Sequence, residues 1–315
     1  MKVLLTGGSS FTGMWFGREL ALAGHEVVAS FQKQPGDYSD GLRRDRVAIL
    51  LESCRGVFDC SFGDPQFMDL VQSEHWDLIC HHGADVRDYK SNSFDFVTAL
   101  GNNTRNVAQL FDVLGQSKGR KPAVLLTGSV FENDTGAGSE GLPAFSLYGL
   151  SKAFTYQVFR FHACRTGLTL GRFVIPNPFG PYEEPRFTSY LLKTWREGKT
   201  ATVNTPAYVR DNIHVSLLSR VYRRFAESLP ERSGLVQICP SQYPEAQGAF
   251  AQRFAREIRA RLDWPCELAL NRQTEFSEPR VRINTDLADT GDLGWSEEAA
   301  WDELGAYYRS MYPRG

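Results

Sequence analysis

Short apolar runs alternate with helix-length amphipathic stretches through the first 175 residues. Val3–Leu5, Val27–Ser30, Gly56–Asp59, Leu78–His81, Ala123–Leu126 and Leu170–Ile175 are each rich in β-branched or other apolar residues, which predicts buried strands. The spacing between them fits helical crossovers, so the expected architecture is an α/β, doubly wound parallel sheet of the Rossmann kind with helices on both faces. Two helices are legible in detail. Val97, Leu100, Thr104, Val107, Phe111 and Leu114 recur at three- and four-residue steps, as do Leu147, Leu150, Phe154, Val158 and Phe161. Each stripe is expected to face the sheet, leaving Phe94, Tyr156 and Phe159 for the peripheral core or for a second subunit in a homodimer.

Beyond residue 175 the texture changes, with Pro176, Pro178, Pro181 and Pro185 interrupting the pattern. The expected division is a first domain of residues 1–175, with 204–240 returning to its sheet, and a smaller C-terminal lobe made of 176–203 and 241–315. The 315 residues are 42% hydrophobic and carry a net charge of −2, so no overall basic field favours nucleic acid or an anionic membrane. Arg outnumbers Lys 27 to 8, a bias that suits phosphorylated small ligands. Met1-Lys2 leads into an apolar run too short for a signal peptide, and no stretch approaches the roughly 18 residues of a membrane span. A cytoplasmic location is expected. Six scattered cysteines lack a C-x-x-C pair, and His81-His82 lacks partners at ligand spacing, so no metal site is expected. Trp264, Trp295 and Trp301 read as core of the C-terminal lobe.

Three places carry chemistry. The first strand ends in Thr6-Gly7-Gly8-Ser9-Ser10-Phe11-Thr12-Gly13 and then a helical run, a glycine-rich turn whose backbone N–H groups can approach a pyrophosphate. The second strand ends in Ser30-Phe31-Gln32-Lys33, where no acid is present to bind the ribose hydroxyls of NAD. Lys33 is placed for a 2′-phosphate, so NADP is favoured over NAD. Asp59, after the third strand, is a candidate for the adenine amino group or for a turn. Third, Tyr148 and Lys152 stand four residues apart on a predicted helix, which puts phenol and ammonium on one face and lowers the phenol's pKa for proton transfer.

Together with His82-Gly83-Ala84, Thr127-Gly128-Ser129-Val130-Phe131, Asn177-Pro178-Phe179-Gly180-Pro181, Arg210-Asp211-Asn212-Ile213-His214-Val215 and Leu293-Gly294-Trp295, these elements occur in an order that resembles the extended short-chain dehydrogenase/reductases acting on nucleotide-diphosphate sugars. The resemblance implies Tyr148 as general acid/base, Lys152 as its electrostatic partner and ribose ligand, and Thr127 as the hydroxyl on the reacting oxygen, with Ser129 as the fallback. It implies cofactor contacts from Gly7, Ser10, Phe11, Gly13, Gly83, Ala84, Ile175 and Pro176. Asn177 and Arg210 resemble diphosphate-binding positions, Arg280 or Arg282 a second charge, and Asp85 and Arg87 loop residues that touch the sugar or pair with each other. Three departures stand out. Ser10 replaces the middle glycine. Gly128 and Ser129 replace the Asp-Glu pair of sugar 4,6-dehydratases. Leu100 occupies the usual place of a relay asparagine, with Asn102 and Asn103 nearby. The implied activity is an NAD(P)-dependent nucleotide-sugar oxidoreductase, most simply a 4-keto reductase. The alternatives are a C4 epimerase with tightly held NAD or a non-catalytic nucleotide sensor.

Overall fold

The structure, a computed structural model, describes residues 1–39, 41–86, 89 and 91–312. Residues 1–135, 143–175 and 219–239 form one compact unit; 136–142, 176–218 and 240 onward form another.

The first unit is built on seven strands: β1 (Lys2–Thr6), β2 (Glu26–Ser30), β3 (Arg55–Val57), β4 (Leu78–His81), β5 (Ala123–Ser129), then Leu170–Ile175 and Leu235–Ile238. Across the sheet they run β3, β2, β1, β4, β5, Leu170–Ile175, Leu235–Ile238, with every pair parallel. The chain winds outward from β1 through β3, then restarts on the other side at β4. The carboxyl ends of β1 and β4 therefore flank the reversal point at which such sheets bind ligands. All seven residues of β5 are buried, as expected of a strand covered on both faces.

Helices α1 (Phe11–Leu22), α2 (Gly41–Leu51), α3 (Pro65–Ser73), α4 (Phe96–Asn103), α5 (Val107–Gly115) and α6 (Leu147–Thr166) supply the cover. On one face Phe67, Phe111 and Phe159 pack on Leu4, Ile79 and Val124. On the other, Phe16 of α1 stacks on Tyr222 at 3.9 Å, with Phe173 edge-on to both.

Both helical stripes need correction. The run from Val97 to Leu114 is two helices, because the chain turns at Asn106, which is left-handed (φ 50°) and donates its side-chain amide to the Gly63 carbonyl at 2.7 Å. Val97 is exposed, whereas Val107, Phe111 and Leu114 are buried. In α6 the period holds but the phase is opposite to that expected. Phe154 and Phe161 are 46% and 65% exposed, while Ser151, Lys152, Thr155, Phe159 and Ala163 are buried. The inner face carries small and polar residues because the helix lies against backbone. A Cβ on Gly149 would sit 2.1 Å from the Phe131 carbonyl oxygen. Phe94 and Phe159 are accordingly core residues.

In the second unit, strand Val209–His214 is flanked by antiparallel Tyr243–Ala246 and by parallel Val281–Ile283 and Asn177–Phe179; Ala137–Gly138 pairs with Val281–Ile283. Helices Phe187–Arg196, Gln247–Leu262 and Glu297–Met311 bring Trp195, Phe250, Phe254 and Trp301 into its core. Only Leu235–Ile238 of the 204–240 stretch joins the first sheet, since Val209–His214 belongs to this second one. Trp301 is core, whereas Trp264 and Trp295 are half-buried. All six cysteines are free, and only Cys164 is exposed. Among the described residues no His/Cys/Asp/Glu cluster suits a metal ion, and no helix is long and apolar enough to cross a membrane.

Candidate active site

The turn after β1 is held by its own hydroxyl. Ser10 has an ordinary extended backbone (φ −80°), so no glycine is required there. Its Oγ accepts from the Gly13 N–H at 3.1 Å, capping α1, and donates to the Gly7 carbonyl at 2.8 Å. Gly7 is different: its φ is +78°, and a Cβ would lie 2.7 Å from the Gly83 nitrogen. A Cβ on Gly13 would lie 2.2 Å from the Gly7 oxygen. The turn, Gly83 and the positive end of α1 thus form a backbone cradle that fits a pyrophosphate. The Phe11 ring is buried, with the buried Arg46 guanidinium 6.0 Å from its centre.

His82 fastens this cradle to β5. Its Nε2 lies 3.1 Å from Ser10 Oγ and 3.0 Å from Thr12 Oγ1, and its Nδ1 lies 3.0 Å from Thr127 Oγ1. Because the Ser10 hydrogen goes to Gly7, Nε2 carries the proton toward Ser10, and Nδ1 accepts from the Thr127 hydroxyl. His81 makes a parallel link: its ring bonds Thr6 Oγ1 at 3.0 Å and the Asn103 carbonyl at 3.2 Å, while Thr6 Oγ1 accepts from the Gly83 N–H. Burial, reinforced by the Lys152 charge, pushes both imidazoles down to about 3, so they are neutral cross-braces. Sequence reasoning considered these histidines only as metal ligands and missed this role; the run of hydroxyls at Thr6, Ser10 and Thr12 was the available signal.

The Thr127 hydroxyl is therefore engaged below the sheet's end, and its hydrogen is committed to His82. Thr127 is the residue expected to carry the reacting oxygen, and in this structure its hydroxyl faces His82. Ser129 lies two residues further, at the carboxyl end of β5. Its Oγ accepts from the Phe131 N–H at 3.3 Å, and its hydroxyl hydrogen is donated to none of the described residues. Gly149, packed on the Phe131 carbonyl, brings the start of α6 against this turn.

Ser146 caps α6 by accepting from the Gly149 N–H at 3.0 Å. Tyr148 is half-buried, its ring edge-on to Tyr89, Phe94 and Phe131 at 5.5, 6.1 and 6.3 Å. One turn later the Lys152 side chain is buried, and that burial lowers its pKa, opposed by Glu132 and helped by Arg172. Asn103, not Leu100, is the asparagine built into the network: its Oδ1 accepts from the Asp85 N–H at 2.9 Å and its Nδ2 donates to Thr155 at 3.5 Å. Asp85 also accepts from Asn102 at 3.1 Å. Arg87 lies outside the described residues.

At the other end of the cradle Phe31 is buried against Phe58 at 4.8 Å, and Lys33 is exposed. Asp59, exposed and left-handed at φ 53°, donates its N–H to the Lys33 carbonyl at 3.3 Å, so the two stand side by side. Gly83, Ala84 and Ile175 are half-buried and Pro176 is buried. In the second unit Asn177 is in register with Asn212. The Arg210 guanidinium donates to the Val209 and Pro279 carbonyls at 3.0 Å each, pairs with Glu278 at 2.9 Å and lies over the Tyr208 ring. An anion would have to displace Glu278. Arg280 is exposed over Phe276, and Arg282 is fully buried, which removes it from any role on an open surface.

The first unit thus carries a glycine cradle at the reversal point of a doubly wound sheet and Tyr148 and Lys152 one turn apart on α6. Residues 3–234 match the NAD dependent epimerase/dehydratase family, and the chain belongs to it. No curated protein matches the sequence. Among solved structures, UDP-glucose 4-epimerase from Thermotoga maritima is 18% identical with a TM-score of 0.70, with 99% of each chain covered. UDP-glucose-4-epimerase from Stenotrophomonas maltophila with bound NAD is 17% identical, TM-score 0.74, covering 99% of this chain and 98% of that one. DesIV, the dTDP-glucose 4,6-dehydratase from Streptomyces venezuelae with NAD bound, is 18% identical, TM-score 0.70, with 99% of each covered. These likenesses concern the fold.

Proposed function

We propose that the protein is an NAD(P)-dependent oxidoreductase of nucleotide-diphosphate sugars, reducing a 4-keto group. The observation that carries this reading is Tyr148 and the buried Lys152 one turn apart on α6, whose first turn packs on the turn that follows Ser129. Tyr148 gives its proton to the carbonyl oxygen as it becomes an alkoxide, and Ser129 hydrogen-bonds that same oxygen. Lys152, kept cationic, favours the phenolate left behind. A bound nicotinamide dinucleotide supplies the hydride. The cradle of Gly7, Ser10, Phe11, Gly13, Gly83 and Ala84 takes its pyrophosphate. Lys33 and Asp59 take the adenosine end, and Ile175 and Pro176 the nicotinamide end. Asn177 and Arg210 take the substrate's diphosphate, with Glu278 yielding its place, and Asp85 contacts the sugar. Neither hydroxyl of β5 is followed by an acid pair: Gly128-Ser129 follow Thr127, and Val130-Phe131 follow Ser129. A 4,6-dehydratase reaction is disfavoured on that ground.

NADP is favoured because Phe31 fills the place of the ribose-binding acid and Lys33 is exposed beside it. A second reading, C4 epimerisation with retained NAD, is supported by the epimerase neighbours, one of which holds NAD. Purified protein mixed with NADPH and a panel of UDP-, TDP-, GDP- and CDP-linked keto-sugars tests the choice. Loss of NADPH absorbance supports reduction. Protein that emerges carrying NAD and interconverts C4 epimers supports the second reading, and neither activity with any sugar contradicts both. The exposed Val97, Phe154 and Phe161 on α4 and α6 further support a homodimer.

A further inference from the structure

We propose that Glu132, clamped by Arg172, is a positioning residue that holds Ser129 in its turn and supplies the buried countercharge for Lys152. The proposal rests on the oxidoreductase reading above. Glu132 is fully buried, and a carboxylate in such a place must have both oxygens occupied. Its Oε1 accepts from the Ser129 N–H at 2.6 Å, and its Oε2 pairs with Nη2 of the buried Arg172. The same turn is closed by the Glu132 N–H donating to the Ser129 carbonyl at 3.0 Å. The carboxylate therefore grips Ser129 directly, alongside the contact that orients its hydroxyl.

Arg172 carries the pair under α6. Its guanidinium lies over the Tyr156 ring at 4.0 Å, one turn beyond Lys152, and its Nη1 donates to Gln237 at 3.1 Å. Lys152 itself is buried, and both that burial and the cationic Arg172 disfavour a positive charge there. Glu132 is the group that favours it. Gly128 keeps the space open, since a Cβ there would meet Glu132 Oε1 at 2.9 Å and Arg172 Nε at 3.4 Å. Well-packed apolar side chains of similar volume would stabilise this spot as well as an ion pair does. The chain instead places a carboxylate on the Ser129 N–H, within electrostatic reach of Lys152.

Glu132→Gln keeps the shape and an acceptor for the Ser129 N–H while removing the charge. The readout is the titration of Lys152 in protein labelled with ε-¹³C lysine, which is practical with eight lysines and Lys152→Arg for assignment. The proposal expects Lys152 to lose its proton about one pH unit or more lower in the variant, roughly a tenfold fall in proton affinity. It also expects kcat to fall with KM little changed, its pH profile displaced alongside the Lys152 titration. If the single variant does not fold, Glu132→Gln/Arg172→Gln leaves no unpaired charge and should give a smaller shift in the same direction. Lys152 titrating as in the wild type in the folded variants overturns the proposal. Because this titration needs no substrate, it decides the role of Glu132 even if wild-type protein turns over no nucleotide sugar, a result that would overturn the oxidoreductase reading instead.

Discussion

Replacing Glu183 with Gln tests the electrostatics of the second unit in isolation. Glu183 is buried behind the helix Phe187–Arg196; its Oε1 accepts from Thr188 Oγ1 and faces the Tyr308 hydroxyl at 3.5 Å, while its Oε2 has no partner. Burial raises its pKa from 4.5 to about 7, with the Thr188 hydrogen bond opposing. The folded chain thus holds this proton more tightly than the unfolded chain. The group costs nothing below about pH 4.5, and its cost grows as pH rises to about 7, then stays constant. A shift from 4.5 to about 7 corresponds to about 3 kcal/mol at pH 8. Gln has the shape and neutrality of the protonated acid, so Glu183→Gln removes this cost. The assay is thermal unfolding of both proteins between pH 5 and 8, reading the difference in Tm so that other titrating groups cancel. The variant should match the wild type near pH 5 and exceed it by roughly 5 °C or more at pH 8. A difference that stays constant across the range would refute the reasoning.

Other outcomes follow from the same structure. His81, His82 and His214, held by burial at about 3 against an ordinary 6.5, must all charge in acid, so Tm should fall steeply as pH drops below about 6.5 and level off only near 3, as a pH series of melts would show. Gly13→Ala drives a methyl into the Gly7 carbonyl. Affinity for the proposed nicotinamide dinucleotide, by fluorescence titration, should fall at least ~10-fold, with stability reduced by ~1–3 kcal/mol. Phe161→Asp, on the exposed stripe of α6, should convert the proposed homodimer to a monomer by light scattering at little cost in stability.

The sheet was legible because its strands are near-continuous apolar runs buried on both faces, a pattern with one reading. The geometry of the candidate site was legible where the backbone demands a residue type, as at Gly7 and Gly13, or where two side chains are four apart on a helix. What escaped was set by tertiary contacts. The inner face of α6 is polar because it carries Lys152 and Thr155 against backbone at Gly149, so hydrophobic phase pointed to the wrong side. That Thr127 meets His82, 45 residues away in the chain, while Ser129 ends the strand, is likewise set by tertiary contacts. Glu132 and Arg172 are 40 residues apart, and nothing local marks either as half of a buried pair.

Tyr148→Phe tests the central claim most directly. The phenol oxygen is removed while the ring keeps its place between Phe94 and Phe131. The account predicts that dinucleotide and nucleotide-sugar affinities stay within about threefold of wild type while turnover falls ~10²–10⁴-fold, the usual contribution of a positioned acid. Turnover close to wild type, with both ligands bound, would contradict it.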